Sequence, residues 1–288
     1  MKIQKDCIAC IENQAQRVCD NLRVDKITQN AIKNIAKKHI ENFDLELTPP
    51  HNATALYQDI AKYLGVEDLY AKEKSDASLR AKEFIPFCEN IIANSSNKLL
   101  SATKTAVAGN VIDLAAVMMY DLQEELEKIY HMDFAIDDFK ELEERLGSSK
   151  TLVYLADNAG EEIFDKIYIQ VLHQLFPKMD VFYFVRGKPI INDLTCKDAL
   201  SSKMDEVATI VNSGVPTPGL ALELMSQEAS DIFYKADCII SKGMGNYECL
   251  GEDNPFPIFF LLKIKCQVVA NTIGGQLGDI VCKKGFIS

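Results

Sequence analysis

The sequence predicts an α/β protein, with a doubly wound, mostly parallel sheet preceded by a helical N-terminal region. Three observations carry this. Apolar residues in the first half of the chain recur at helical spacing. After about residue 148, short apolar runs without that period alternate with helical stretches, which is the pattern of βαβ units. Crossovers between parallel strands are almost always right-handed, so the helices cover both faces of the sheet. The division separates a helical domain, 1–148, from an α/β domain, 149–288.

The elements follow in order. Residues 11–42 set Ala15, Val18, Leu22, Ile27, Ile32, Ile35 and Ile40 at helical spacing with charge between them. Thr48-Pro49-Pro50 breaks the pattern, because consecutive prolines cannot continue a helix. A helix is predicted over residues 53–64, with further helices over 76–95 and 103–130. Beyond the boundary, residues 152–156, 181–185, 207–211, 237–241 and 266–270 read as strands. Residues 161–176, 219–236 and 255–265 read as the helices between them. No internal repeat or low-complexity segment occurs.

Composition bounds the function. The 288-residue chain carries a formal net charge of -11 and lacks a dense Lys/Arg cluster, which argues against a duplex nucleic-acid binder. An acidic protein that handles anions needs a metal or local cations to offset its field. Nine cysteines, an odd number with several in apolar runs, read as reduced and core-packed rather than as a disulfide scaffold. No N-terminal stretch resembles a signal peptide. The apolar run 256–264 is interrupted by Pro257 and Lys263 and is too short to span a bilayer. The expectation is a soluble, cytoplasmic protein with no nucleic-acid or membrane partner. The sequence does not encode its oligomeric state legibly.

Ligands of open parallel sheets bind beyond the carboxyl ends of the strands, and every predicted strand here ends in polar, glycine-bearing sequence. Asp157-Asn158-Ala159-Gly160-Glu161 follows the first and Arg186-Gly187-Lys188-Pro189, with Asn192-Asp193, the second. Asn212-Ser213-Gly214 follows the third, Lys242-Gly243-Met244-Gly245-Asn246 the fourth and Asn271-Thr272-Ile273-Gly274-Gly275 the fifth. Asp157, Asn158 and Asp193 offer hard oxygen ligands suited to an octahedral divalent ion. Adjacent residues reach one ion only where the chain turns sharply, and Gly160 permits that turn. Taken alone, Asp157-Asn158 reads equally well as a helix cap.

Lys242, Gly243, Gly245 and Asn246 form a candidate anion cradle, although an isolated Lys-Gly-x-Gly is usually only a βα turn. No Walker A or Gly-x-Gly-x-x-Gly string occurs. Asn110 and Asp113, three residues apart, share a helix face, or else belong to a helix start. Cys7 and Cys10 lack the second pair that a zinc site needs and read as helix-borne thiols facing the core. The four histidines form no catalytic constellation.

Taken together, the strings Cys7-x-x-Cys10, Thr48-Pro49-Pro50, Gly109-Asn110-x-x-Asp113, Asp157-Asn158-x-Gly160-Glu161, Arg186-Gly187-x-Pro189 with Asn192-Asp193, and Lys242-Gly243-x-Gly245-Asn246-x-Glu248 resemble the DUF89 family of metal-dependent damage-control phosphatases, in its smaller prokaryotic branch. One departure is Asp68-Leu69-Tyr70, where the family pattern has Asp-Pro-Tyr. The resemblance implies a Rossmann-like core, a metal (Mn²⁺, Co²⁺, Ni²⁺ or Mg²⁺) on Asp157, Asn158 and Asp193, and a phosphate near Lys242. It implies hydrolysis of small phosphometabolites such as sugar phosphates. The expected chemistry is attack by a metal-activated water, favoured over an aspartyl-phosphate on Asp157 because the position two residues on is Ala159. Asp157, Asp193 and Lys242 are the expected catalytic residues. Asn110, Asp113, Glu161, Gly243, Gly245 and Asn246 are expected around the substrate. The rival readings are a methyltransferase using an S-adenosyl cofactor and a non-catalytic metal- or nucleotide-binding protein.

Overall fold

A computed structural model describes residues 1–111, 119–252 and 255–285. The chain opens with α1 (Lys5–Asn21), α2 (Lys26–Ile40) and α3 (Pro49–Leu64). The stretch 11–42, with its apolar residues at helical spacing, is covered by two helices, because Asp25 caps α2 by accepting from the Thr28 amide at 2.8 Å. Thr48 likewise caps α3, with Pro49 and Pro50 in its first turn. Proline there lacks only an N–H that would have no helical partner, so the pair starts the helix as well as ending what precedes it.

Helices α4 (Ala71–Lys82), α5 (Ile85–Asn94) and α6 (Lys98–Ala108) follow. Pro86 in the first turn of α5 separates it from α4 and splits the predicted 76–95 helix. Next come α7 (Met119–His131), β1 (Ile136–Asp137) and α8 (Phe139–Ser148). The βα alternation then runs β2 (Thr151–Leu155), α9 (Glu161–Leu175), β3 (Asp180–Val185), α10 (Cys196–Ser201), β4 (Thr209–Asn212), α11 (Gln227–Phe233), β5 (Cys238–Lys242), α12 (Gly243–Leu250), β6 (Ile258–Lys263), α13 (Gln267–Ile273) and β7 (Ile280–Lys284).

Three sequence expectations change here. Residues 258–263 are a strand, not a helix: the run Ile258-Phe259-Phe260-Leu261-Leu262 is buried on both faces inside the sheet. A continuous apolar run carries no period by which to tell helix from strand. Residues 267–273 are a helix, not a strand. Cys266 caps it, with Sγ accepting from the Val269 amide at 3.4 Å, and Gly274 ends it with φ +87°. The helix predicted over 219–236 shrinks to α11, which starts where the Ser226 side chain accepts from the Ala229 amide. The short β1 and the final β7 were not predicted.

The seven strands among the described residues form one sheet in the order β1-β7-β6-β5-β2-β3-β4. The pairs are parallel except β6 with β7. From β2 the chain steps outward to β3 and β4, then returns to lay β5 on the other side of β2, with β6 beyond it. That reversal makes the β2–β5 pair the topological switch point, where the crevice of a doubly wound sheet opens.

Side chains alternate between two cores. Leu152, Tyr154, Tyr183, Cys238 and Ile240 face α4–α9. Val153, Leu155, Phe184, Ile239 and Phe260 face α1–α3 and α11–α13. Each core therefore mixes residues from before and after position 148. Among the described residues, no helix is long and apolar enough to cross a membrane.

Candidate functional site

The site begins where β2 ends. Ala156 N–H still donates to the Phe184 carbonyl of β3 at 3.0 Å, and then the chain turns. Residues 157–159 run against the segment after β3. Leu194 N–H donates to the Asp157 carbonyl (3.0 Å) and Ala159 N–H to the Asn192 carbonyl (2.9 Å), with Asn158 and Asp193 paired antiparallel. These bonds set the two strand ends side by side and bring Asp193 to Asp157-Asn158. Gly160, at φ +96°, then redirects the chain into α9.

These residues open onto a cavity of about 250 Å³. Asp157, Asn158 and Asp193 line it, as do Asn110 at the end of α6 and Gly245 on α12. Lys263 at the end of β6, Lys265 in the loop after it and Gln267 at the start of α13 also line it, as do Cys7, Cys10 and Gln14 from α1. The two thiols thus border the cavity, Cys7 buried and Cys10 exposed, rather than both facing the core. Asp113 lies outside the described residues.

Behind the cavity wall lies a buried polar layer. Asn158 Nδ2 donates to Asp157 Oδ2 (3.0 Å) and Glu161 Oε1 (3.2 Å), which orients the carboxamide. Glu161 also accepts from Asn110 Nδ2 and, at 3.1 Å, from Lys242 Nζ. The Lys242 ammonium donates to Asp165 Oδ1 at 2.7 Å, and the hydroxyls of Tyr154 and Tyr183 donate to the same carboxylate. Burial alone would favour a neutral lysine, but Asp165 and Glu161 outweigh it and hold the Lys242 pKa above the usual lysine value.

This arrangement departs from the sequence expectation. Lys242 is fully enclosed and does not line the cavity, so its charge serves Glu161 and Asp165 rather than a ligand there. Glu161 is equally enclosed and orients neighbouring side chains. Asn246 is a clamp: its Oδ1 accepts from Arg186 Nη2 (3.0 Å) and Leu220 N–H (2.9 Å). Its Nδ2 donates to the carbonyls of Ala156 (3.0 Å) and Lys242 (2.8 Å). Those four bonds use the whole carboxamide, leaving it nothing for a substrate. Gly243 sits at φ +74° against the Asp157 carboxylate, where a Cβ would collide with all three carboxyl atoms.

Comparison with known proteins agrees with this architecture. The sequence profile of the damage-control phosphatase ARMT1-like domain matches residues 3–281. The chain belongs to this family, also called DUF89. The damage-control phosphatase PH1575 of Pyrococcus horikoshii is 33% identical over 99% of the chain and 98% of its own length. A damage-control phosphatase of Archaeoglobus fulgidus is 31% identical over 98% and 99%. The crystal structure of the P. horikoshii DUF89 protein superposes with a TM-score of 0.91 at 32% identity, covering 99% of this chain and all of that one.

In this DUF89 chain the site is electrostatically short of positive charge. Burial, and then the fields of Glu161 and Asp193, hold the Asp157 carboxyl well above its usual range, while Arg186 and Lys265 pull it down. Arg186 Nε donates to Asp193 Oδ2 at 2.6 Å and anchors that carboxylate. Among the described residues, no group of three or more His, Cys, Asp and Glu side chains is arranged as a metal site. Ligation by the chain would therefore rest on two carboxylates and one amide oxygen. That hard donor set fits a divalent cation that keeps solvent and substrate oxygens in its other positions.

Sequence reasoning missed Asp165, Arg186 and Lys265 as members of this constellation. Asp165 sits one turn beyond Glu161 on α9, so an i, i+4 pair of acids was its available signal. Glu248 lines the cavity as well, and burial pushes its carboxyl up to about 7.

Proposed function

We propose that this chain is a metal-dependent phosphatase acting on small phosphomonoesters, with sugar phosphates as the leading substrate class. The observation that carries this reading is the convergence of Asp157, Asn158 and Asp193 from two strand ends onto one cavity, in a chain of the damage-control phosphatase family. Asp157, Asn158 and Asp193 would hold a divalent ion: Mn²⁺, Co²⁺, Ni²⁺ or Mg²⁺. When bound, such an ion neutralises phosphoryl charge and lowers the pKa of an attacking water.

The remaining work falls to the chain's own groups. Arg186 Nε, donating to Asp193 Oδ2 at 2.6 Å, holds and orients that carboxylate. The Asn158 amide, donating to Asp157 and Glu161, turns its oxygen away from both carboxylates. Lys242, itself held by Asp165, donates to Glu161 and so maintains that orientation from behind. Asn110 fixes the end of β6 by accepting from the Lys263 amide at 3.2 Å while donating to Glu161. Preorganisation of this kind avoids reorganisation at the moment of reaction.

The test is phosphate release from a panel of sugar phosphates, nucleotides and an aryl phosphate, before and after chelation and with each metal restored. Asp157→Asn and Asp193→Asn should each abolish turnover and metal retention. Turnover that survives thorough chelation, or either variant at full activity, overturns the reading.

A further inference from the structure

We infer that Glu248 is a specificity-determining residue of this cavity, placed to hydrogen-bond hydroxyl groups on the organic body of a phosphomonoester whose phosphoryl end meets Asp157. The inference rests on the phosphatase reading for the reaction, and on the geometry of α12 for the residue.

Helix α12 begins against the proposed metal site and leads away from it. Gly243, its first residue, abuts the Asp157 carboxylate. Glu248 lies five residues on, about 7.5 Å along the axis at 1.5 Å per residue. Met244, Gly245 and Glu248 have the spacing of one helix face, and all three line the cavity. The electrostatic neighbourhoods separate in the same way. The Asp157 carboxyl responds to Glu161, Asp193, Arg186 and Lys265, whereas the thiols of Cys7, Cys10 and Cys266 respond to Glu248. The cavity therefore has a carboxylate end and a thiol end, and Glu248 belongs to the second.

The helix that carries Glu248 is fixed in place. Asn246 pins it to the end of β2 through the Ala156 carbonyl at 3.0 Å. Gly245 packs so closely on Pro218 that a Cβ would fall 2.6 Å from the Pro218 carbonyl oxygen. The Glu248 carboxyl, by contrast, has no hydrogen bond or ion pair among the described residues. The Met1 amine nearby donates to the Glu248 backbone carbonyl at 2.6 Å and pairs with Glu252 at 3.7 Å. Burial pushes the Glu248 carboxyl up to about 7 against the pull of that amine. An acid taken from water without a partner is costly, and a ligand group can supply the missing bond. The protonated carboxyl both donates and accepts, which matches a hydroxyl.

The surroundings suit a carbon skeleton bearing hydroxyls. Ile11, Pro49, Pro50, Ala53 and Val268 give the cavity apolar wall. The Gln14 amide accepts from the Tyr57 hydroxyl and turns its nitrogen toward Cys10 Sγ at 3.9 Å. Gln267 Nε2 donates to Asn271 at 2.8 Å. Apolar walls with a few placed polar groups are the usual means of orienting a small ligand.

The experiment compares ribose 5-phosphate with phenyl phosphate, whose organic part carries no hydroxyl. Values of kcat/KM are measured for both in Mn²⁺ on wild type, Glu248→Gln and Glu248→Leu. Calorimetry of ribose 5-phosphate and of inorganic phosphate runs alongside. In Glu248→Leu the ratio of kcat/KM for ribose 5-phosphate to that for phenyl phosphate should fall by about 10- to 100-fold, mainly through KM. That is the range for losing one hydrogen bond to a charged group. Glu248→Gln keeps a donor and an acceptor and should recover most of the ratio. No side-chain partner is stranded, so neither variant should lower the thermal midpoint.

An unchanged ratio in Glu248→Leu, or equal losses on both esters, overturns the assignment while leaving the phosphatase reading intact. A wild type that hydrolyses neither ester refutes the phosphatase reading, and calorimetry then decides the subsite. Tighter binding of ribose 5-phosphate than of inorganic phosphate, with the margin lost in Glu248→Leu, supports it. No margin in the wild type, or a margin that survives in Glu248→Leu, overturns it.

Discussion

Gly243→Ala is the sharpest single perturbation of this site. A Cβ built at Gly243 falls within contact of the Asp157 Cγ and both carboxylate oxygens, and even Oδ1, the farthest of the three, is only 2.9 Å away. Ordinary contact begins near 3.4 Å, so the carboxylate must retreat by at least 0.5 Å at Oδ1 and by more at Oδ2. Functional groups must be held within roughly 0.5 Å of productive geometry, and a displacement of about 1 Å costs on the order of 100-fold in rate. Alanine at φ +74° adds left-handed strain of about 1–2 kcal/mol.

Gly65→Ala separates the two effects. Gly65 has φ +67° but nothing within 4 Å of the added Cβ, so it carries the strain without the collision. Urea unfolding should therefore show both variants destabilised by at least about 1 kcal/mol. Chelator-sensitive phosphate release should fall about 100-fold or more in Gly243→Ala and stay at the wild-type level in Gly65→Ala. Metal titration should follow the activity. Full activity and metal affinity in Gly243→Ala would show that Asp157 is not positioned by this contact and would refute the reasoning.

Two further predictions concern the buried layer. Lys242→Met leaves Glu161 and Asp165 buried without their shared cation and should cost about 3–5 kcal/mol in urea unfolding, part of it recovered by adding Asp165→Asn; additive effects in the double variant would show that the pair is not coupled. Burial raises the Glu162 carboxyl from 4.5 to about 7, so the folded chain holds that proton more tightly than the unfolded one. The resulting stability is complete below pH 4.5 and is lost as pH rises through about 7, about 3 kcal/mol over that interval at 1.36 kcal/mol per pH unit. Glu162→Gln should remove that dependence, and parallel stability–pH curves for variant and wild type would contradict it.

Much of the site was legible because strand ends are punctuated. The apolar run ending at Leu155, followed by Asp157, Asn158 and Gly160, identified a turn bearing hard donors without any tertiary information. Asp193 was legible for the same reason, as an acid following the next run. The β6 strand was not, because a run buried on both faces has no period of two.

The sequence by itself determined the class of fold and placed Asp157, Asn158 and Asp193 at strand ends, since both follow from local pattern and residue chemistry. Only the tertiary structure decided which lysine meets the cavity. Lys242 and Lys265 both stand just beyond apolar runs and read alike in one dimension. On β5, however, Lys242 has the parity of Cys238 and Ile240, whose face is the one α9 covers. Its ammonium therefore meets Glu161 and Asp165 within the protein. Lys265 lies two residues past the end of β6, free of the strand's alternation, on a loop that borders the cavity. Strand parity and the side on which a crossover helix packs are properties of the assembled sheet, and they set the roles of two otherwise similar side chains.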